Sequence, residues 1–281
     1  MRLFLTLLAL ILIPASLQAW GEDGHVIVSK IAESYLKPAA KLGIKDLLDE
    51  RAISDPRICV WADLIRSGAI YDRKYPNHRT WHYINIELQE REEDYKPEEQ
   101  KDHVVGAISQ FIKIVKDPQE TKENRKEALM FVIHFVGDMH QPLHCSNRND
   151  DRGGNLQLVK SFRGKEEPRL NLHSVWDTSM VKADRGDLEN EDYAKRLVAE
   201  IEEKQREAWS KGDAKIWAWE NHLIGMQEVY LFSDGTLFPD RSEAPVELTD
   251  ENYIKTKKPI VREQLKKAGV RLAWVLNHCF E

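Results

Sequence analysis

Cysteine is scarce in this chain. Cys59, Cys145 and Cys279 are the only three in 281 residues. At most one disulfide can form, one thiol is left over, and the sequence does not choose among the three pairings. Cys145 follows a histidine singled out below and reads as a packing residue or half of that disulfide. A basic excess is also missing: 41 Lys and Arg stand against 47 Asp and Glu, for a formal net charge of −6. This argues against a protein that grips nucleic acid through a broadly basic surface, because such affinity comes from neutralising phosphates. It leaves room for an enzyme whose positive charge is supplied locally by metal ions. The chain has no internal repeat and no low-complexity linker, and no stretch beyond the first 19 residues is long and apolar enough to cross a membrane.

Those first residues read as a secretory leader. Arg2 supplies a positive charge, Leu3 to Ile13 is an apolar run apart from Thr6, Pro14 breaks it, and Leu17-Gln18-Ala19 offers a cleavage site. The run is shorter than the roughly 20 residues that span a bilayer. The expected organisation is a signal peptide over 1–19 and one domain over 20–281, secreted or periplasmic, with Trp20 as the mature N-terminus. A free terminal amine is a nitrogen donor that no internal residue offers.

The remaining pattern is helical. Apolar residues recur at helical spacing over Val26 to Leu36, ended by Pro38, and again over 39–50. Pro56 is placed to start a helix carrying Trp61, Asp63 and Arg66, and Pro97 to start one running to about Val115. Residues 121–141, Leu172 to Val181, 191–209, 213–231 and 257–278 also read as helices. Only Leu156 to Val159 and its neighbourhood suggests a short strand or hairpin. The segments Asn147 to Asn155 and Ser233 to Pro245 read as polar, Gly- and Pro-bearing loops. The fold class is mainly α, a single helical domain with a short β-hairpin.

Chemistry-bearing residues recur at spacings that suit a metal. His134 and Asp138 lie at i and i+4, so one helix face carries both. Pro142 ends or kinks that helix, and the turn brings His144 beside them. His173 and Asp177 repeat the i, i+4 pair. One such pair is usually a solvated pair or a cap; two, with His144 between them, reverse that weighing. Imidazole and carboxylate are donors that suit zinc. Asp63, between apolar residues in Trp61-Ala62-Asp63-Leu64-Ile65-Arg66, is unusual unless capped, paired or ligating. His82 alone reads as an ordinary half-buried histidine, and His140 as a packing or supporting residue. His25, near Trp20, completes the set.

These stretches resemble the S-one/P-one nuclease family, secreted zinc-dependent phosphodiesterases related in fold to bacterial zinc phospholipase C. The resemblance runs through Trp20-Gly21 with His25, WADLIR at 61–66, HYIN at 82–85, HFVGDMHQPLH at 134–144, GGN at 153–155 and NLHSVWD at 171–177. It implies three zinc ions. Asp63, His82, His134 and Asp138 would hold one; the amine and carbonyl of Trp20, with His25 and the bridging Asp138, a second; and His144, His173 and Asp177 the third. It makes Asp63 and Arg66 the catalytic candidates, with Arg66 able to reach a phosphate. It also implies that Tyr83 stacks on a base and that Asn85 and Asn155 bind base or substrate. Asn85 stands where members commonly carry aspartate, so base preference does not carry over.

The expected function is an endonuclease on single-stranded DNA and RNA giving 5′-phosphate products, with 3′-nucleotidase activity. The expected state is a monomer with no protein partner and no stable membrane insertion. A zinc phospholipase C shares the same chemistry and is the first alternative. A non-catalytic periplasmic zinc-binding protein is the second; it would need neither Arg66 nor an aromatic residue beside the metals.

Overall fold

A computed structural model describes residues 20–99, 102–164, 169–241, 244–248 and 251–281; the expected leader lies outside them. The first helix, α1 (Glu22–Glu33), begins four residues earlier than its apolar pattern and ends before Tyr35. Pro38 occupies the first turn of α2 (Pro38–Leu47), where a missing N–H costs nothing. The helix expected after Pro56 is broken into α3 (Pro56–Cys59), α4 (Trp61–Leu64) and a 3-10 turn over Ile65–Ser67, followed by α5 (Ala69–Lys74). Pro97 opens only a 3-10 turn, and α6 (Val104–Lys116) starts later. The ring of His103 caps it, accepting from the Gly106 N–H. A histidine cap is an unusual choice, which is why the pattern placed this start too early.

Helix α7 (Lys122–Met139) is the axis of the molecule. Thr121 caps its start, and every residue from Glu127 to Met139 is buried. A helix buried all round shows little amphipathic signal, because α6, α1, α4 and a C-terminal helix pack on different sides of it. It stops at Met139, ahead of Pro142, which cannot extend it, and a 3-10 turn over Pro142–His144 follows. Behind it, Phe111 stacks on Phe131 at 4.4 Å, and Trp81 and Tyr75 meet the same ring edge-on.

Beyond residue 170 the expected helices are segmented. α8 (Leu172–Ser174) runs through a π-turn over Val175–Ser179 into α9 (Met180–Arg185). Residues 191–209 form two helices, α10 (Asn190–Ala199) and α11 (Glu203–Trp209). α12 (Ala214–Ile224) ends in a second π-turn, and α13 (Glu251–Cys279) closes the fold against α1 and α7.

The expected hairpin is not formed. Strand β1 (Val159–Phe162) pairs in parallel with β2 (Val246–Leu248), and Leu158 makes only an isolated antiparallel bridge with Asn171. Parallel strands need a long crossover, so no turn signal next to β1 could announce its partner. The disulfide permitted by composition is also absent: all three cysteines are free and buried. The Cys59 thiol faces the Ser54 carbonyl and the Cys145 thiol the Met139 carbonyl, so each is committed to its own neighbourhood. Among the described residues no helix is long and apolar enough to cross a membrane.

Candidate metal centre and substrate cleft

Four elements bring the expected donors together. His25 comes from α1, Asp63 from α4, His82 from the segment after α5, and His134 and Asp138 from α7. His82 Nδ1 lies 2.9 Å from Asp138 Oδ2 and 3.6 Å from Asp63 Oδ1. His134 Nε2 lies 3.2 Å from Asp138 Oδ2 and 3.6 Å from Asp63 Oδ1. His25 Nε2 sits 3.2 Å from the other Asp138 oxygen, with its ring stacked on His134 at 4.0 Å. Asp138 therefore faces two groups of donors, one through each oxygen. All five residues are buried.

A second group lies alongside. The turn after α7 delivers His144, and the α8/π-turn junction delivers His173 and Asp177. Asn171 and Ser174 form a reciprocal cap at the start of α8. The widened π-turn then sets Asp177 3.2 Å from His173 Nε2, while its backbone carbonyl accepts from the Gly21 N–H at 3.0 Å. That bond fastens Trp20-Gly21 beside both groups, and the Trp20 side chain is fully buried.

Backbone carbonyls orient the rings. His134 Nδ1 donates to the Cys59 carbonyl, His144 Nδ1 to that of His82 and His173 Nδ1 to that of Gly153. Since a carbonyl only accepts, each Nδ1 carries a proton, and each ring, once its Nε2 is unprotonated, presents that nitrogen's lone pair to the centre. The approach at Gly153 depends on glycine: its φ is +61°, and a Cβ there would lie 2.3 Å from the Leu143 carbonyl oxygen.

The resulting contacts suit bound cations. His144 Nε2 and His173 Nε2 face each other at 3.1 Å, lone pair to lone pair. Both carboxylate oxygens of Asp63, one of Asp138 and His25 Nε2 are buried with no hydrogen bond, an arrangement that is costly for an ionised carboxylate. The donor atoms of His25, His134 and Asp138, of Asp63, His82 and His134, and of His144, His173 and Asp177 each lie within 4.8 Å of one another. A tetrahedral ion with bonds of about 2.0–2.1 Å holds its donors roughly 3.3 Å apart, close to the separations here. The residues therefore fit metal ions.

Burial and charge act in opposite directions on these groups. Burial lowers His25 and His144, takes His82 down to about 4 and takes His173 down to about 3. At His134 burial is outweighed by Asp138 and Asp63, which push it up to about 10. Without a metal, that ring holds the proton that the two carboxylates demand. Asp138 and Asp63 are held low despite burial, chiefly by His134. Burial raises Asp177 well above the usual carboxylate range. A bound cation would return it to the ionised form.

The centre opens into a cleft of about 570 Å³ lined by Arg66, Tyr83, Asn85, Asn155, His144 and His173 among others. Arg66 is half-buried, with Nη1 3.6 Å from Asp63 Oδ1, so the ion-pair and cleft-facing roles coincide. Asn155 donates to the Arg152 carbonyl while its own Oδ1 is buried without a partner. His140 stays out of the donor groups: its Nδ1 donates to the Val136 carbonyl and its Nε2 accepts from Arg271. Sequence reasoning missed Gln141, whose buried amide donates to the Asp177 carboxylate and accepts from the Leu143 N–H. It also missed the three orienting carbonyls, which no side-chain pattern can signal.

The family profile described as S1/P1 Nuclease matches residues 20–281. Among similar proteins, Endonuclease 2 of Arabidopsis thaliana is 30% identical over 279 residues, covering 94% of this chain and 92% of its own. Nuclease P1 of Penicillium citrinum is 31% identical over 282 residues, covering 91% and 96%. Nuclease S1 of Aspergillus oryzae is 27% identical over 274 residues, covering 90% and 89%. With a match spanning every donor group and the cleft above them, this chain belongs to the S1/P1 nuclease family and is a hydrolytic phosphodiesterase.

Proposed function

We propose that the chain is a secreted or periplasmic zinc nuclease that cleaves single-stranded DNA and RNA to 5′-phosphate products and also removes 3′-phosphates from nucleotides. In this reading three zinc ions are held. Asp63, His82, His134 and Asp138 take one. The Trp20 amine and carbonyl, His25 and Asp138 take the second, and His144, His173 and Asp177 the third. The observation that carries it is the set of inward lone pairs: His144 and His173 nitrogens at 3.1 Å, beside orphaned Asp63 and Asp138 oxygens. Bound zinc supplies Lewis acidity toward phosphate and lowers the pKa of water toward about 7.

The chain's own residues do the rest. Arg66 offers forked donors to phosphate oxygens, a geometry that suits two-point binding, and Asp63 sets its position. Tyr83 lines the cleft one residue from His82. Stacking there is worth about 1–3 kcal/mol per base and requires an unpaired base, which supports single strands over duplex. Asn155 Oδ1 accepts from a base N–H. Asn85 can both donate and accept, where a carboxylate only accepts, so the site tolerates several bases.

The test combines N-terminal sequencing and metal analysis of the processed protein with parallel assays on single-stranded DNA, single-stranded RNA, duplex DNA and phosphatidylcholine. The expected result is a Trp20 terminus, three zinc ions per chain, turnover fastest on single strands, loss on chelation and recovery with zinc. Activity that survives complete demetallation refutes the zinc reading. Faster turnover of phosphatidylcholine than of single strands refutes the substrate assignment.

A further inference from the structure

Three cavities meet at Asn85, and their charges differ. The cleft above the donor groups continues into a recess of about 390 Å³ that shares Asn85, Arg152 and Leu156 with it and adds Arg241 and Asp150. On the other side of Asn85 lies a recess of about 350 Å³ whose charged lining is Glu87, Glu90, Asp94, Glu99 and Lys96. Buried Asn147 divides the two: its amide nitrogen donates to Glu87, and its Oδ1 accepts from the Arg152 N–H at 3.0 Å. One exit thus carries two guanidinium groups against the Asp150 carboxylate, and the other carries four carboxylates against one ammonium.

We propose that a single strand leaves the cleft over Arg152 and Arg241, which bind the phosphate next to the one being cleaved, and that the acidic recess bars the opposite route. The inference rests on the phosphodiester reading above and adds the path of the polymer. Arg152 is built in at a cost. Its φ is +57°, a left-handed conformation that glycine adopts freely and that strains a residue with a side chain. Its backbone is clamped on both sides, by Asn147 and by Asn155, whose amide donates to the Arg152 carbonyl at 2.8 Å. The same Asn155 lines the base cleft, so the arginine is tied to the first nucleotide's position. Its guanidinium makes no hydrogen bond or ion pair among the described residues. Arg241 spends one N–H on the Asp150 carbonyl at 2.9 Å, leaving the others for a phosphate. Nearby Asp240 is engaged by the Asn149 amide at 3.2 Å. Exposed charges are screened beyond about 8 Å at physiological salt, so the contrast between the exits acts on the strand where they meet at Asn85.

The experiment compares two substrates on the zinc-loaded, processed protein and its Arg152→Gln, Arg241→Gln and double variants. A 12-nucleotide single strand has a neighbouring phosphate; bis(p-nitrophenyl) phosphate has none. The double variant should raise KM for the oligonucleotide about tenfold, the effect of two screened charge contacts, with kcat held. It should flatten the dependence of log KM on log salt by about 0.7, the value for one phosphate no longer neutralised on a single strand. Turnover of the single-phosphate substrate should not change. An unchanged oligonucleotide KM, or equal loss on both substrates, overturns the path. Failure of the native protein to cleave either substrate refutes the phosphodiester reading instead.

Discussion

Gly137→Ala tests the centre without touching a donor. Gly137 lies on α7 between His134 and Asp138, and a Cβ there would sit 2.9 Å from His25 Nδ1 and 3.1 Å from its Cε1. Ordinary contact begins near 3.4 Å, so the ring must withdraw by about 0.5 Å. It has little freedom to do so, because its face is stacked on His134 at 4.0 Å and its Nε2 is aimed at Asp138. Metal sites tolerate displacements of about 0.2 Å. The helix itself gains from the change, since alanine outranks glycine by about 1 kcal/mol in a helix interior. The ion held by His25 should therefore bind about 10–100-fold more weakly, with a melting temperature for the chelated protein at or below that of the native chain, because overpacking the buried ring costs about 1–3 kcal/mol against that gain. Zinc per chain, measured after equilibration in a buffered zinc series, should fall by one ion if three are held as proposed. A Gly137→Ala protein with full zinc and native turnover would refute the assignment of His25 and the helix-to-helix geometry behind it.

Other outcomes follow from the same coordinates. Tyr83→Ala should raise KM for single strands by about 5–160-fold, matching one lost stack, with zinc content intact; equal loss of zinc would make the ring structural. His140→Leu should leave zinc stoichiometry unchanged while lowering the melting temperature, because buried Arg271 loses a neutral acceptor; loss of an ion would make His140 a ligand. Asp55 caps α3, the helix whose Cys59 carbonyl orients His134, by accepting from the Arg57 N–H at 2.9 Å. Asp55→Ala should cost about 1 kcal/mol at neutral pH. The Arg57 side-chain bond, working against partial burial, lowers the Asp55 carboxyl from 3.8 to about 2. Its charge-dependent stabilisation is therefore present above pH 3.8 and lost as pH falls through about 2. Acid unfolding of the native and Asp55→Asn chains should converge there; a constant offset down to pH 1 would contradict this.

The central helix and its boundaries were legible because Thr121, the apolar run and Pro142 are local signals. The donor pairs His134/Asp138 and His173/Asp177 were legible for the same reason, since helical periodicity alone puts i and i+4 on one face. The reading failed wherever the deciding partner was distant in sequence. β1 finds β2 across more than 80 residues, so it forms a parallel pair and not a hairpin. The helix expected from Pro97 failed on a local signal instead, because a histidine ring, an uncommon cap, starts α6 at His103. His140 and Arg271 lie on different helices, and only packing shows that this histidine faces a guanidinium.

The chain's residue order alone determined which donors exist and which neighbours share a helix face, because both depend on covalent spacing and backbone periodicity. Tertiary structure decided that His25, from the first helix, meets Asp138 on the seventh, and that His144 and His173 face each other at 3.1 Å. It also decided that Arg152 and the carboxylates of the opposite recess stand on either side of Asn85. Those relations depend on close packing, which sets where separately legible segments meet and which their local patterns do not encode.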